Sequence, residues 1–253
     1  MRVIVTRPAA QAAEWVADLQ AQGLDAVALP LIEIRSVPDP AALVAAWTTL
    51  ARQRLVAFVS PNAAQCFFAQ RPAGAAWPSG TLAASPGPGT TRVLLSLGVP
   101  AAQIIAPAAD AAQFDSESLW AELGSKAWQG ADVLVVRGDG GRDWLAERLR
   151  TAGARVSHLS AYRRAAPQLE ADGRALLAAA LAAPAAHLWL FSSSQAIEHL
   201  AALAPPHTAW GEARAVGTHP RIVARARQLG IDRTIAARPA LADVIACIQS
   251  LRP

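Results

Sequence analysis

Residues 3–34 read VIVTRPAAQAAEWVADLQAQGLDAVALPLIEI, and residues 133–164 read VLVVRGDGGRDWLAERLRTAGARVSHLSAYRR. Laid one over the other, the two stretches pass through the same signals in the same order. A short β-branched run enters an Arg-Pro or Arg-Gly turn, an amphipathic segment follows, a glycine stops it, and an extended stretch resumes. In the first copy Ala12, Val16 and Leu19 share one helical face and Gly23 is the stop; in the second, Leu145, Leu149 and Ala152 do so before Gly153. Each copy therefore reads as strand, helix, strand.

A second repeat lies between and beyond them. LVAFVSPNAAQCFF from Leu55 matches LWLFSSSQAIEHL from Leu188, each a buried strand opening at Ser60 or Ser192 into a polar turn and a helix. SPGPGTTRVLLSLGV from Ser85 matches GTHPRIVARARQLGI from Gly217, with helices ending at Gly98 and Gly230. The chain thus runs a-b-a′-b′ with strands and helices alternating throughout, which argues for an α/β fold of two similar doubly wound parallel-sheet domains. Which segment joins which is open at this level. Contiguous domains would pair a with b and a′ with b′, whereas an exchanged arrangement would pair a with b′ and b with a′. The extended stretches 25–37 and 155–167 are long enough to leave one domain and enter the other.

Composition narrows the function. A 253-residue chain that is 53% hydrophobic has ample core for two small domains. Its net charge of +4, from 23 basic and 19 acidic side chains without a cationic block, suits a small anionic ligand and argues against nucleic acid. Cys66 and Cys247 stand in no ligand spacing and the five histidines are scattered, so no metal is expected. The opening MRVIVTRPAA lacks an apolar signal segment, and the longest apolar run, 175–191, is broken by Pro184 and His187, so the expected address is the cytoplasm, with no membrane partner.

In open parallel sheets a ligand sits beyond the carboxyl ends of the strands, where the following helices present unpaired N–H groups. Six such exits are readable: Thr6-Arg7-Pro8, Ser60-Pro61-Asn62-Ala63, Gly87-Pro88-Gly89-Thr90, Arg137 to Arg142, Ser192-Ser193-Ser194-Gln195 and Gly217-Thr218-His219-Pro220. Each is a candidate helix cap and a candidate anion seat, and for any single turn the cap is the plainer reading. GPGTTR at Gly87 and RGDGGR at Arg137 complete neither a Walker nor a Rossmann fingerprint. No nucleophile elbow surrounds Ser192–Ser194. His219 reads as a solvated surface imidazole, and Asp139 and Asp143 as carboxylates favoured near a helix start. What remains is a set of hydrogen-bonding turns, the arginines Arg7, Arg137, Arg142 and Arg163, and Tyr162, the one tyrosine of the chain.

These motifs in this order resemble the uroporphyrinogen-III synthase family. The matching residues are Thr6-Arg7-Pro8, PLIEI at Pro30, SPNA at Ser60, GPGT at Gly87, VVRGDGGR with Leu145, AYRR at Ala161 and GTHPRIVARARQLG at Gly217. The resemblance implies a cofactor-free lyase that closes the linear tetrapyrrole hydroxymethylbilane with loss of water and inversion of the last ring. It implies the exchanged arrangement, with residues 1–36 and 167–253 in the first domain and 37–166 in the second, joined by a two-stranded β-ladder. Substrate acetates and propionates would lie in the cleft between domains, held largely by main-chain donors. The positions carried over as substrate-binding are Thr6 and Arg7; Ser60, Pro61 and Asn62; Gly87, Gly89 and Thr90; Arg137, Gly138, Gly141 and Arg142; Ser192, Ser193, Ser194 and Gln195; and Gly217 and Thr218. Tyr162 falls on the family's tyrosine proposed to help the hydroxyl depart, as a protonated phenol can. Arg163 is expected to lean toward substrate carboxylates and Arg164 to be a solvated strand-end cation. His219-Pro220 departs from the threonine many members carry there. A monomer is expected. The alternative is a hinge-type two-domain binding protein for a small anion, which duplicated α/β domains with two crossings also describe.

Overall fold

The computed structural model describes residues 1–108 and 110–251; the last two positions of the domain expected to run to 253 lie outside them. The chain forms two compact units, Met1–Glu33 with Ala165–Pro253, and Ile34–Arg164. In chain order the first unit contributes β1 (Arg2–Val5), α1 (Ala9–Ala21) and β2 (Ala26–Ala28). Then come β3 (Glu33–Ser36), α2 (Ala41–Thr48), β4 (Leu55–Phe58), α3 (Pro61–Phe68), β5 (Leu82–Ala84), α4 (Pro88–Ser96), β6 (Ile104–Ile105), α5 (Ser116–Leu123), β7 (Asp132–Gly138), α6 (Trp144–Thr151) and β8 (Arg155–Ala165). The first unit resumes with α7 (Ala171–Ala182), β9 (His187–Phe191), α8 (Ser194–Leu203), β10 (Arg214–Gly217), α9 (Pro220–Gln228), β11 (Arg233–Ala236) and α10 (Leu241–Ser250).

Both units are doubly wound. The first sheet has the order β2-β1-β9-β10-β11, every adjacent pair parallel. The second has the order β6-β5-β4-β7-β8-β3, with parallel pairing from β6 through β8. In each sheet the strand order reverses direction once, between β1 and β9 in the first and between β4 and β7 in the second. Such a reversal opens a crevice at the carboxyl ends, because the connections on its two sides lead away from each other.

The central strands β1, β4, β7, β9 and β10 are buried on both faces, as the middle of a parallel sheet covered by helices must be. In the second unit Val56, Phe58, Leu134 and Val136 join one core, while Leu55, Ala57, Val133 and Val135 join another on the opposite face. The first core is aromatic: Trp47 stacks on Phe67 with centroids 4.8 Å apart, and Phe68 stacks on Trp77 at 5.7 Å. Each such fully buried side chain stabilises the unit by roughly 1.5–3 kcal/mol through apolar area removed from water. In the first unit α1 buries Ala12, Trp15 and Leu19 against Val3 and Val5 of β1, with Val16 partly buried beside them. The two repeat helices stop where left-handed backbone is needed, at Gly23 (φ 69°) and Gly153 (φ 92°), a conformation a Cβ would strain.

One depression of about 500 Å³ is lined by Leu181, Pro184, Pro205, Thr208, Ala209, Gly211 and Glu212. It lies among the segments that precede β9 and β10, at the amino ends of the strands, and so apart from the crevice that the topology marks.

Candidate functional site

The first unit's switch point is bounded by the exits of β1 and β9. Thr6 is 1% exposed and spends its hydroxyl on Leu190 O at 2.7 Å, which ties the exit of β1 to β9. Next to it the Arg7 guanidinium bonds Gln11 Oε1 at 3.1 Å and lies 4.3 Å over the Trp15 ring. Burial lowers its pKa to about 10, partly offset by Glu14, so it stays cationic at neutral pH. On the β9 side Ser193 caps α8 by accepting from Gln195 N at 3.2 Å. Ser192, Ser194 and Gln195 are half-buried around it. The exit of β10 is drawn to the same edge, because Thr218 N donates to Phe191 O at 3.0 Å. Gly217 admits the start of α9 closely: a Cβ there would sit 3.1 Å from Val223 N.

The second unit's switch point lies between β4 and β7. Ser60 follows β4 and caps α3, its Oγ accepting from Ala63 N at 3.1 Å, with Pro61 at the first helical position where its missing N–H costs nothing. The turn after β5 stands beside it, since a Cβ on Gly89 would be 3.8 Å from Pro61 Cγ. That turn is shaped by Ser85, whose Oγ donates to Gly87 O at 2.8 Å, and Thr90 within it is 3% exposed. Gly87 is extended (φ 171°), yet a Cβ there would fall 2.7 Å from Phe114 Cβ, so glycine is required by the close approach.

Between β7 and β8 the register slips at Arg137/Gly138, leaving Arg137 opposite Ser160 and Gly138 opposite Tyr162. This bulge re-aims the Tyr162 ring over the bare Gly138 backbone, where a Cβ would meet Cε2 and Cζ at 2.7 Å. Tyr162 is completely buried. Its hydroxyl is 3.0 Å from Ser60 Oγ and accepts from Arg164 Nη2 at 3.2 Å, while the Arg164 guanidinium lies 5.8 Å from the ring centroid. Arg164 is exposed near the end of β8, as its sequence position suggested, and it also reaches back to the phenol: the two-residue period of β8 puts it on the same face as Tyr162.

Other charged expectations resolve into local structure. Arg137 binds its own loop, bonding Gly140 O at 3.0 Å, Gly141 O at 2.7 Å and the Asp143 carboxylate. That pairing holds the Asp143 carboxyl below its usual range. Arg142 forks onto Glu117 at 2.6 and 3.2 Å, and Arg163 pairs with Asp139 at 3.2 Å rather than projecting unpaired. His219, read as a surface imidazole, is half-buried and also caps α9: its Nδ1 accepts from Arg221 N at 3.1 Å. Imidazole is an uncommon cap, so the usual cap residues gave no signal for it.

The structure therefore gathers Thr6, Arg7, Ser192–Gln195, Gly217 and Thr218 along one sheet edge, and Ser60, Pro61, Gly87, Gly89, Thr90, Gly138 and Tyr162 along another. Asn62 is the second residue of α3, two positions after Ser60. Sequence reasoning missed Arg164, whose one available signal was its position two residues beyond Tyr162. Among the described residues no group of His, Cys, Asp and Glu could hold a metal ion, and no helix is long and apolar enough to cross a membrane. Hydroxyls and backbone N–H groups can hold an anion and assist a leaving oxygen, with the buried phenol hydrogen-bonded behind them.

Residues 13–246 match the family model described as uroporphyrinogen-III synthase HemD. Two solved structures share the fold along nearly their whole length. A mutant uroporphyrinogen III synthase from the extremely thermophilic bacterium Thermus thermophilus is 16% identical, with 99% of this chain and 98% of that chain covered and a TM-score of 0.59. The uroporphyrinogen-III synthetase of Helicobacter pylori is 14% identical, with both chains fully covered and a TM-score of 0.58.

Proposed function

The chain belongs to the uroporphyrinogen-III synthase family, and on that premise we propose how its residues carry out the reaction. It is a cyclising lyase of tetrapyrrole biosynthesis, converting hydroxymethylbilane to uroporphyrinogen III with loss of water and inversion of ring D. The match across residues 13–246 carries this reading.

In our reading each unit's own switch-point turns offer seats for carboxylates such as the substrate's acetates and propionates, through backbone N–H groups and hydroxyls at the starts of α3 and α4 in the second unit and of α8 and α9 in the first. Thr90, almost buried at a strand exit, belongs to the second unit's turns, and Thr218, likewise almost buried, with Arg7 as the cation, to the first unit's. Arg137 and Arg142 shape the β7 turn instead of meeting substrate directly, because both already carry protein partners. Gly138 and Gly141 serve the same turn. Restraint of the linear substrate does most of the work, since the unrestrained molecule closes to the type I isomer. The Ser60–Tyr162 pair assists departure of the hydroxyl, and its 3.0 Å contact at the switch point supports that role. In our reading the enzyme acts as a cytoplasmic monomer without a cofactor.

Supplying freshly generated hydroxymethylbilane to the purified protein tests the function. The type III isomer should accumulate with turnover; type I alone, as in a blank, would refute it.

A further inference from the structure

We infer that Ser60 is the group that gives its hydrogen to the departing hydroxyl, while Tyr162 and Arg164 act through it as positioning residues. The inference rests on the synthase reading above and adds to it the direction of the hydrogen bonds. A guanidinium has donors and no acceptor, so Arg164 Nη2 must donate to the Tyr162 oxygen at 3.2 Å. Tyr162 has no exposed surface, and a buried hydroxyl hydrogen without a partner is costly. Ser60 Oγ, 3.0 Å away, is the acceptor the described residues offer it. Ser60 Oγ also accepts from Ala63 N at 3.1 Å. Both of its lone pairs are then filled from the protein. Its own hydrogen must point elsewhere, and Ser60 is only half-buried, at the mouth of the crevice between β4 and β7. The chain of donors runs Arg164 to Tyr162 to Ser60 and outward.

Tyr162 cannot itself reach a ligand in this arrangement, because its ring is wedged against the Gly138 backbone. In the reaction the substrate's C–O bond breaks and the electron pair leaves with oxygen. Ser60 hands its hydrogen to that oxygen, which departs as water. The Ser60 oxygen takes the Tyr162 hydrogen, and the phenolate left behind faces the Arg164 guanidinium. When the new C–C bond forms, the attacked pyrrole carbon loses its proton, which returns along the same path. No electrons are gained or lost, and the net products are macrocycle and water.

A kinetic cycle tests this. Ser60→Gly removes the hydroxyl but keeps a residue that caps helices nearly as well, so the variant should fold. We expect kcat for the type III isomer to fall about a hundredfold, the lower range for loss of a general acid, with KM unchanged. Tyr162→Phe and Arg164→Met should each lower kcat about tenfold, the weight of about 1.4 kcal/mol. In the Ser60→Gly background both should have no further effect, and Ser60→Thr should restore most of the rate. If Ser60→Gly with Tyr162→Phe loses the product of the two single effects, Tyr162 acts on substrate independently and the relay is wrong. A Ser60→Gly enzyme with wild-type kcat also overturns it. Failure of the wild-type protein to give any type III isomer would instead sink the synthase reading itself.

Discussion

Gly138 is the position where a single methyl group should reveal how Tyr162 is held. An alanine Cβ there would lie 2.7 Å from ring atoms Cε2 and Cζ and 3.1 Å from the hydroxyl oxygen. Carbon pairs settle at about 3.5–4.0 Å, so the ring must retreat by roughly 1 Å or the bulge must open. A retreat of that size takes the phenol out of bonding range of Ser60, now at 3.0 Å. Overpacking costs about 1–3 kcal/mol, and a buried hydroxyl stripped of a partner about 1–3 kcal/mol. Relief through the unfolded chain, about 0.4–1 kcal/mol for glycine to alanine, offsets part of this. The net expectation for Gly138→Ala is a loss of about 1–5 kcal/mol in urea unfolding, with kcat reduced at least as far as in Tyr162→Phe. Gly80→Ala, where a Cβ meets nothing within 4 Å, is the control and should be neutral or mildly stabilising. In a Tyr162→Ala background, Gly138→Ala should cost little, because the clashing ring is gone. Equal penalties in both backgrounds would show that the strain lies in the strand rather than in the ring, and would refute the argument.

Acid should weaken the protein by two separable routes. His158 has its pKa lowered, chiefly by burial, with Asp143 opposing and the cations Arg150 and Arg137 adding to the effect. The unfolded chain therefore takes up the proton first, and stability falls as pH drops from about 6.5 toward the lower folded value. His158→Gln should remove that step from a stability profile while leaving the deeper loss, as Asp143 and Glu117 protonate through their lowered values. Arg142→Ala should change unfolding free energy by less than about 1 kcal/mol, as for exposed ion pairs, with KM little altered; a tenfold rise in KM would mean that Arg142 leaves Glu117 for substrate. His219→Ala should cost about 1 kcal/mol through the lost cap of α9, and His219→Ser should recover it; equal melting of both variants would show that the imidazole caps nothing.

Much of the fold was legible locally. The repeat at residues 3–34 and 133–164 becomes β1-α1-β2 and β7-α6-β8, and every turn read as a strand exit precedes a helix. These features depend on side-chain period, caps and glycine stops within about twenty residues, which sequence spells out directly. The site was legible by location more than by role. Arg137 and Arg142 were expected to meet substrate because the family resemblance carries their turn over, and in the structure nearby carbonyls and carboxylates pair with them. Arg164 is exposed as its position suggested, but its bond to the buried Tyr162 hydroxyl was not legible, because nothing in its neighbours along the chain marks that partner.

Sequence alone determined that the chain alternates strand and helix, that it does so twice over, and where its hydrogen-bonding turns stand. Tertiary structure decided which strands lie side by side. Thr6 bonds Leu190 across 184 residues, and Ser60 meets Tyr162 across 102. The physical reason is that strands buried on both faces all carry similar runs of valine, leucine and alanine, so their backbones could pair in many orders. Only the simultaneous packing of helices on both faces selects β1 against β9 and β4 against β7, and that selection places a serine, a buried phenol and an arginine in one line.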